Sequence, residues 1–144
     1  MFTIGTFAII FDEHNKVLLC HRRDYDLWNL PGGGVKKGES PWEGVVREVK
    51  EEVCLDVEVV RLQGVYSKPE KDDVVFCFIC KPVGGNIALT DEASEIKYFG
   101  INDIPHNISS KQLERVRDAL NSDELVLKVQ KGPSSIELVK QGKL

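Results

Sequence analysis

Three glutamates, Glu48, Glu51 and Glu52, are spaced so that a helix carries them on one face. Like charges three or four residues apart repel each other across a helical turn. Only Lys50 lies among them, so this face lacks the interleaved lysines of a solubilising surface. Most glutamate runs are solvated helix faces, but here we expect a bound cation to offset the repulsion.

The glycine-rich segment Pro31–Gly34 shortly precedes this helix. Glycines let the backbone turn tightly and present its carbonyl oxygens, and carboxylate and carbonyl oxygens are the ligands of a hard divalent cation such as Mg²⁺. A polyphosphate substrate on a chain of net charge -4 would also need metal ions to bridge the like charges. The sequence therefore predicts a Mg²⁺ site, with Mn²⁺ as a substitute ion.

The start of the helix is specified by its own residues. Ser40, Pro41 and Glu43 form a capping box with proline at the first helical position. Arg47 follows Glu43 by four residues, the favourable order for an ion pair, and lies beside Glu51. The apolar side chains share a second face that we expect to pack on the core: Trp42, Val45, Val46, Val49 and Val53.

The segment from Gly33 to Leu55 resembles the signature of the Nudix hydrolases, G-x5-E-x7-R-E-U-x-E-E-x-G-U, where U is a bulky aliphatic residue. The matching residues are Gly33, Glu39, Arg47, Glu48, Val49, Glu51, Glu52 and Leu55. Cys54 replaces the family's last glycine, which closes the helix where a left-handed backbone is often needed. The resemblance covers most of residues 1–121 and implies an α+β fold, a Nudix-type α/β/α sandwich with a mixed central sheet.

The resemblance also implies a reaction, in which water attacks phosphorus and cleaves the pyrophosphate bond of a nucleoside diphosphate linked to another moiety. Mg²⁺ suits this chemistry because it neutralises phosphate oxygens and holds the attacking and leaving groups in line. Carried over by position, the metal ligands are Glu48, Glu51, Glu52 and the carbonyl of Gly32. Arg47 would hold the acids in place, and Glu39 would buttress the loop or reach a metal ion through water.

The resemblance identifies the general base less clearly than it identifies the metal ligands. Family members place it on the signature helix or on a later loop, and the later loop here offers Asp91, Glu92 and Glu95. We favour Glu95 because it starts the predicted strand "EIKYF", where the family often places an additional acid. Glu48 is the alternative base, and a solvated loop glutamate is the alternative reading of Glu95.

The substrate is open at this stage. Arg22, Arg23, Trp28 and Tyr66 could contact phosphate or stack on a base, although each also fits an ordinary surface or core position. ADP-ribose, a nucleotide sugar and a damaged or non-canonical nucleoside triphosphate are the candidate substrate classes. The alternative function is a non-catalytic, nucleotide-binding Nudix-like regulatory module, but such modules usually lose signature acids that this chain keeps.

The composition and net charge limit the classes of molecule that this chain is expected to bind. The chain has 144 residues, 29% of them charged, and its net charge of -4 argues against nucleic acid, RNA decapping included, because such binding needs a basic face. The apolar N-terminus has the pattern of a strand, and no segment approaches a membrane span. We therefore expect one cytoplasmic domain over residues 1–144, uncertain in structure after about 121, with a small-molecule nucleotide substrate. A homodimer stays open.

The four cysteines do not have the pattern of a metal site. Cys77 and Cys80 lie in "VVFCFIC", a β-branched and aromatic run that predicts a buried strand. Residues three apart on a strand point to opposite faces, and Cys20 and Cys54 form no second close pair. We therefore expect reduced, mostly buried thiols.

The remaining pattern is mixed α and β with mostly local connections. Two strands flanking the turn "DEHN" predict a hairpin, and the tail predicts a second hairpin about "KGPSS". The predicted segments are strands at Thr3–Phe11, Lys16–Arg23, Asp56–Tyr66, Asp73–Val83 and Glu95–Ile101, and a second helix at Ser110–Asn121.

Overall fold

The computed structural model describes residues 1–144, which form eight strands and three helices. The strands are β1 (Thr3–Ile9), β2 (Val17–Arg22), β3 (Trp28–Asn29), β4 (Gly32–Gly34), β5 (Leu55–Lys68), β6 (Asp73–Gly85), β7 (Ala93–Phe99) and β8 (Val126–Val129). The helices are α1 (Pro41–Val53), α2 (Ser110–Asn121) and α3 (Ser135–Lys140), and a 3₁₀ turn spans Pro69–Lys71. None of the helices has the length and apolar composition that crossing a membrane requires.

The strands form two sheets. The larger has the order β4-β1-β6-β5-β8, and the smaller has the order β3-β2-β7. Since β1 runs parallel to β6 while β5 runs antiparallel to it, the larger sheet is mixed. The predicted α+β class with a mixed central sheet is confirmed.

Side chains of the strands alternate between two buried clusters, one against each of the longer helices. Val45 and Val49 of α1 belong to the first cluster, and Val116 of α2 belongs to the second. The strands therefore lie between α1 and α2, as the predicted α/β/α sandwich requires. Cys77 lies in the second cluster and Cys80 in the first, which confirms that they point to opposite faces of β6.

The predicted hairpin of the first two strands is wrong beyond its turn. The Asp12 N–H donates to the Lys16 carbonyl at 2.9 Å, and Phe11 forms an isolated bridge with Val17. Beyond this turn, β1 pairs with β4 and β6, whereas β2 pairs with β3 and β7. A strand has only two edges, and distant segments occupy both edges of each strand.

Two further expectations fail. The tail forms no hairpin, because Val126–Val129 adds to the larger sheet parallel to β5 and α3 follows it. Trp42 is 58% exposed, so it does not belong to the buried face of α1, which includes Val45, Val49 and Val53.

Candidate active site

A cleft of about 540 Å³ lies where α1, β4 and the loop before β7 meet. This volume is in the range of pockets that bind small molecules, about 300–1,000 Å³. Acidic and basic side chains both line it. The acidic ones are Asp24, Glu48, Glu52, Asp91 and Glu92, and the basic ones are Arg22, Arg23, Lys68, Lys111 and Arg115.

Glu48 lies against the backbone of β4. A Cβ atom at Gly33 would come within 2.7 Å of Glu48 Oε1, so a glycine is needed here for the carboxylate to approach. Glu48 is only 9% exposed, and a buried carboxylate is stable only with hydrogen-bond donors. Arg47 Nη1 supplies one at 3.2 Å. The glycine strand and the helix thus form one unit.

Arg47 connects the acids of this unit. Its Nη1 also donates to Glu51 Oε2 at 3.0 Å, and its Nη2 donates to the Gly34 carbonyl at 3.2 Å. Its Nε and Nη2 donate to the two carboxylate oxygens of Glu39 at 2.8 and 2.9 Å. The guanidinium offsets the repulsion within the cluster and fixes its geometry.

Glu39 supports the loop before α1. It accepts hydrogen bonds from Arg47 and from the backbone N–H of Lys36 at 2.9 Å, and these lower its pKa to about 2. A Cβ atom at Gly44 would lie 2.8 Å from Glu39 Oε1, so this contact is also close. Glu39 does not line the cleft. Its contacts are with Arg47 and the loop backbone, and both of its expected roles stay predictions.

Glu52 faces the cleft from the next turn of α1. Its Oε2 accepts the Gly32 backbone N–H at 3.0 Å, and the Cys20 thiol lies 3.8 Å away. Burial raises the pKa of Glu52 to about 8, with further contributions from the nearby Glu48 and Glu92 carboxylates, while the Gly32 N–H acts in the opposite direction. The contact with Gly32 uses its N–H, so a metal bond to its carbonyl stays a prediction.

Glu92 completes the acidic cluster from another part of the chain. Thr90 Oγ1 donates to the Glu52 carbonyl at 2.8 Å and accepts the Glu92 N–H at 3.2 Å, which ties the loop to α1. Carboxylate oxygens of Glu48, Glu51 and Glu92 lie within 4.8 Å of one another. Although Glu92 is largely exposed, partial burial of its carboxyl raises its pKa, and the charges of Glu48 and Glu51 raise it further.

Glu95, the base favoured from the sequence, is not part of this cluster. It is exposed on β7, where its register partner is His21, and it does not line the cleft. Asp91 and Glu92 do line it. The strand geometry separates these acids, because β7 begins at Ala93 and the loop ends just before it.

The four expected substrate contacts divide into two pairs. Arg22 and Arg23 line the cleft, although Arg22 already pairs with Asp24 at 2.6 Å. Trp28 is 7% exposed and Tyr66 fully buried, and neither lines the cleft. Both belong to the second core cluster.

Sequence reasoning missed the basic residues Lys68, Lys111 and Arg115. They come from the end of β5 and from α2, and they line the same cleft as the acids. Lys111 and Arg115 are one helical turn apart on α2, but no local spacing relates them to Lys68. Only the position of α2 beside β1 and β5 brings them together.

Comparisons with known proteins identify relatives of this chain. A family profile described as the NUDIX domain matches residues 1–119. An ADP-ribose pyrophosphatase of Methanocaldococcus jannaschii is 39% identical over 103 residues, 67% of this chain and 61% of that protein. A Bacillus subtilis protein with the provisional name 8-oxo-dGTP diphosphatase is 33% identical over 123 residues, 84% of this chain and 82% of that protein.

The fold comparison agrees as well. The crystal structure of an ADP-ribose pyrophosphatase from Streptococcus suis superposes with a TM-score of 0.75 at 29% identity, covering 90% of this chain and 100% of that one. The aligned part spans about three fifths of the archaeal relative and most of the other two proteins. The family profile, the relatives and the shared fold together show that this chain belongs to the Nudix hydrolase family.

Proposed function

We propose that this chain is a Mg²⁺-dependent hydrolase that cleaves the pyrophosphate bond of a nucleoside diphosphate linked to another group. The observation that carries the proposal is the approach of carboxylate oxygens of Glu48, Glu51 and Glu92 to within 4.8 Å of one another. Glu48 and Glu92 line the cleft, which also contains arginines. Mn²⁺ is the expected substitute ion. The family provides the reaction class, while the metal, the residue roles and the substrate belong to the proposal.

The donor set fits a hard dication. Every candidate ligand atom is an oxygen, which Mg²⁺ prefers, and no histidine or cysteine belongs to the cluster. Burial raises the pKa values of Glu52 and Glu92, and repulsion from neighbouring carboxylates, Glu48 among them, raises them further. Glu48, Glu51 and Glu52 would hold the ion, which would neutralise phosphate oxygens and lower the pKa of water.

Arg47 and Glu39 act as positioning residues in this proposal. Arg47 holds Glu48 and Glu51 at 3.2 and 3.0 Å, and Glu39 holds Arg47. Neither needs to touch the substrate. Hydrogen bonds of this kind around metal ligands commonly change activity or metal affinity by about 10- to 100-fold when they are removed.

Glu92 replaces Glu95 as the proposed general base. A base must lie within hydrogen-bonding reach of the water whose proton it takes, and a pKa nearer the working pH improves it. Glu92 is a member of the acidic cluster, and its pKa is raised. It would accept the proton of the attacking water while the new oxygen–phosphorus bond forms and the bond to the leaving phosphate breaks.

The proposed substrate is ADP-ribose, a nucleotide sugar or a damaged nucleoside triphosphate. Relatives of this chain are named for ADP-ribose and, provisionally, for 8-oxo-dGTP. Arg22 and Arg23 at the cleft are proposed to contact phosphate oxygens. Trp28 and Tyr66 are no longer proposed as substrate contacts, because both are buried in the core.

Product analysis tests the proposal directly. The enzyme would be incubated with ADP-ribose, a nucleotide sugar and 8-oxo-dGTP in Mg²⁺, in Mn²⁺ and in EDTA, and nucleoside monophosphate would be measured by chromatography. We expect product with either metal and none in EDTA. Glu51→Gln should abolish most turnover, whereas Glu58→Gln, an exposed glutamate on β5 outside the cleft, should not.

The alternative function is a non-catalytic nucleotide-binding module. It predicts ligand binding without product from any of these substrates, with either metal. That result from folded protein would contradict the proposal.

A further inference from the structure

Three cations line the cleft, and one of them, Arg115, is separated from Glu52 by Gly32 and Phe7. Lys68 ends β5, and Lys111 and Arg115 lie one turn apart on α2. We call these three residues the basic end. In this row of contacts, Glu52 accepts from Gly32, Gly32 pairs with Phe7, and the Arg115 guanidinium lies 5.5 Å from the Phe7 ring.

Arg115 is a buried charge without a carboxylate partner. It is 3% exposed, and its Nε and Nη2 both donate to the neutral Gln130 Oε1 at 3.1 and 3.0 Å. The Phe7 and Tyr66 rings lie on it at 5.5 and 5.4 Å. A buried charge that no opposite charge contacts is costly, so this arrangement is suited to an anion that arrives from the cleft.

Lys111, like Arg115, has no carboxylate in ion-pair contact. Its Nζ donates to the Gly132 carbonyl at 2.7 Å, which is a neutral acceptor. Burial lowers the pKa of Lys111, and the charges of Lys68 and Arg115 lower it further. The carboxylates of Glu70 and Glu137 oppose this effect.

Lys68 has the only carboxylate in ion-pair contact with the basic end. Its Nζ lies 3.5 Å from Asp73 Oδ2. One contacting carboxylate against three cations leaves the basic end with a net positive charge. An anionic ligand would supply the missing charge.

We propose that the basic end binds a phosphate monoester on the part of the substrate remote from the cleaved pyrophosphate. The proposal rests on the proposed function, because it places the pyrophosphate at the acidic end of the same cleft. Phosphate offers several acceptor oxygens, which suits the fork of Arg115 and the point charges of Lys68 and Lys111. The subsite favours substrates that carry a phosphate monoester in addition to the pyrophosphate over substrates whose distal group is neutral.

Residues outside the family match fix this subsite. Gln130 binds Arg115 and Gly132 binds Lys111, and both lie beyond residues 1–119. Ser134 and Ser135 also line the cleft there. The selectivity is therefore a property of this chain's tail together with α2.

Pairs of pyrophosphates that differ by one phosphate monoester test the proposal: NADPH against NADH, and coenzyme A against dephospho-coenzyme A. In Mg²⁺, kcat/KM should favour the phosphorylated member of at least one pair by about tenfold or more, the usual worth of a charge-assisted contact. Lys111→Gln should bring this ratio towards one through KM, while Lys111→Arg should keep it. Lys16→Gln, an exposed lysine in the turn between β1 and β2, is the matched control and should change nothing.

A role of Lys111 in holding the tail alone would lower both members of a pair alike and leave the ratio unchanged. That outcome, or a ratio near one in the unmodified enzyme for both pairs, overturns the proposal.

Binding without metal separates this inference from the proposed function. Calorimetry in EDTA would compare NADP⁺ with NAD⁺, and coenzyme A with its dephospho form. Tighter binding of a phosphorylated member, with the difference lost in Lys111→Gln, would support the subsite even if neither pair is hydrolysed. The absence of hydrolysis would contradict only the proposed function for these substrates. Equal affinities in both pairs, or no measurable binding of any phosphorylated member, overturn the subsite.

Discussion

Arg47 and Glu39 form a side-on pair in which Nε and Nη2 of the guanidinium donate to the two carboxylate oxygens at 2.8 and 2.9 Å. This pair leaves Nη1 directed at Glu48 and Glu51, at 3.2 and 3.0 Å. Glu39 lies on the loop and the other residues on α1, so the pair also joins the loop to the helix. The orientation of the acidic cluster thus depends on a residue outside the cleft.

The first prediction concerns this orientation. Arg47→Lys keeps the charge but cannot form the side-on pair and also reach Glu48 and Glu51. We expect kcat to fall by about 10- to 100-fold, as for other residues that orient metal ligands, with the fold intact by circular dichroism. The control is Arg117→Lys, which changes an exposed arginine of α2 and should leave activity unchanged. Equal activities of the two variants would remove the positioning role of Arg47.

The second prediction concerns Glu52 and pH. The folded-state pKa of about 8 lies above the ordinary value of 4.5, so folding favours the protonated form. The sign follows: this contribution to stability is fully present below pH 4.5 and is lost as pH rises through about 8. In EDTA, the unfolding free energy of the unmodified protein should therefore fall with rising pH more steeply than that of Glu52→Gln.

Urea unfolding at several pH values measures this difference. The Glu52→Gln variant should also lose several orders of magnitude in kcat with Mg²⁺, because it removes a proposed metal ligand. Glu58→Gln provides the exposed control, with a pH dependence like that of the unmodified protein. Nearly full Mg²⁺-dependent turnover by Glu52→Gln would remove the basis of the metal-site assignment.

The third prediction separates the two candidate bases. Glu92→Gln keeps the side-chain shape but cannot accept a proton, so kcat should fall by about 10²- to 10⁴-fold with little change in KM. Glu95→Gln should have a much smaller effect, because Glu95 lies outside the cleft. Steady-state kinetics of both variants decide between them. If Glu95→Gln is the more damaging change, the loop assignment is wrong, and if both are mild, Glu48 becomes the candidate base.

The fourth prediction concerns the end of α1. Cys54 has φ 67° and ψ 13°, the left-handed conformation that favours glycine, and its N–H still donates to the Lys50 carbonyl at 3.1 Å. Cys54→Gly should therefore raise the unfolding free energy by up to about 1 kcal/mol, the relief of the side chain being partly offset by the greater freedom of glycine in the unfolded chain. Thermal unfolding measures the change, and activity should be unchanged.

Cys54→Ala is the matched control, because it removes the thiol but keeps the Cβ atom. It should show no such gain. A loss of activity in both variants would mean that the thiol has a role of its own.

The sequence by itself determined the acidic helix and its frame. The capping box at Ser40 specified where α1 begins, and local hydrogen bonds confirm it: Ser40 Oγ accepts the Glu43 N–H at 3.1 Å. The left-handed residue expected at the helix end is found at Cys54. These features depend on neighbours within one or two helical turns, so spacing alone specifies them.

Only the tertiary structure decided which later acid joins this cluster and what occupies the other end of the cleft. Glu92 and Glu95 are equivalent in type and close in sequence, but Thr90 bonds the loop to α1 while β7 carries Glu95 towards solvent beside His21. Likewise, Lys68 and Arg115 meet only because α2 packs beside strands that precede it by many residues. Contacts between segments distant in the chain are set by sheet pairing and helix packing. The spacing of residues within one segment does not predict them.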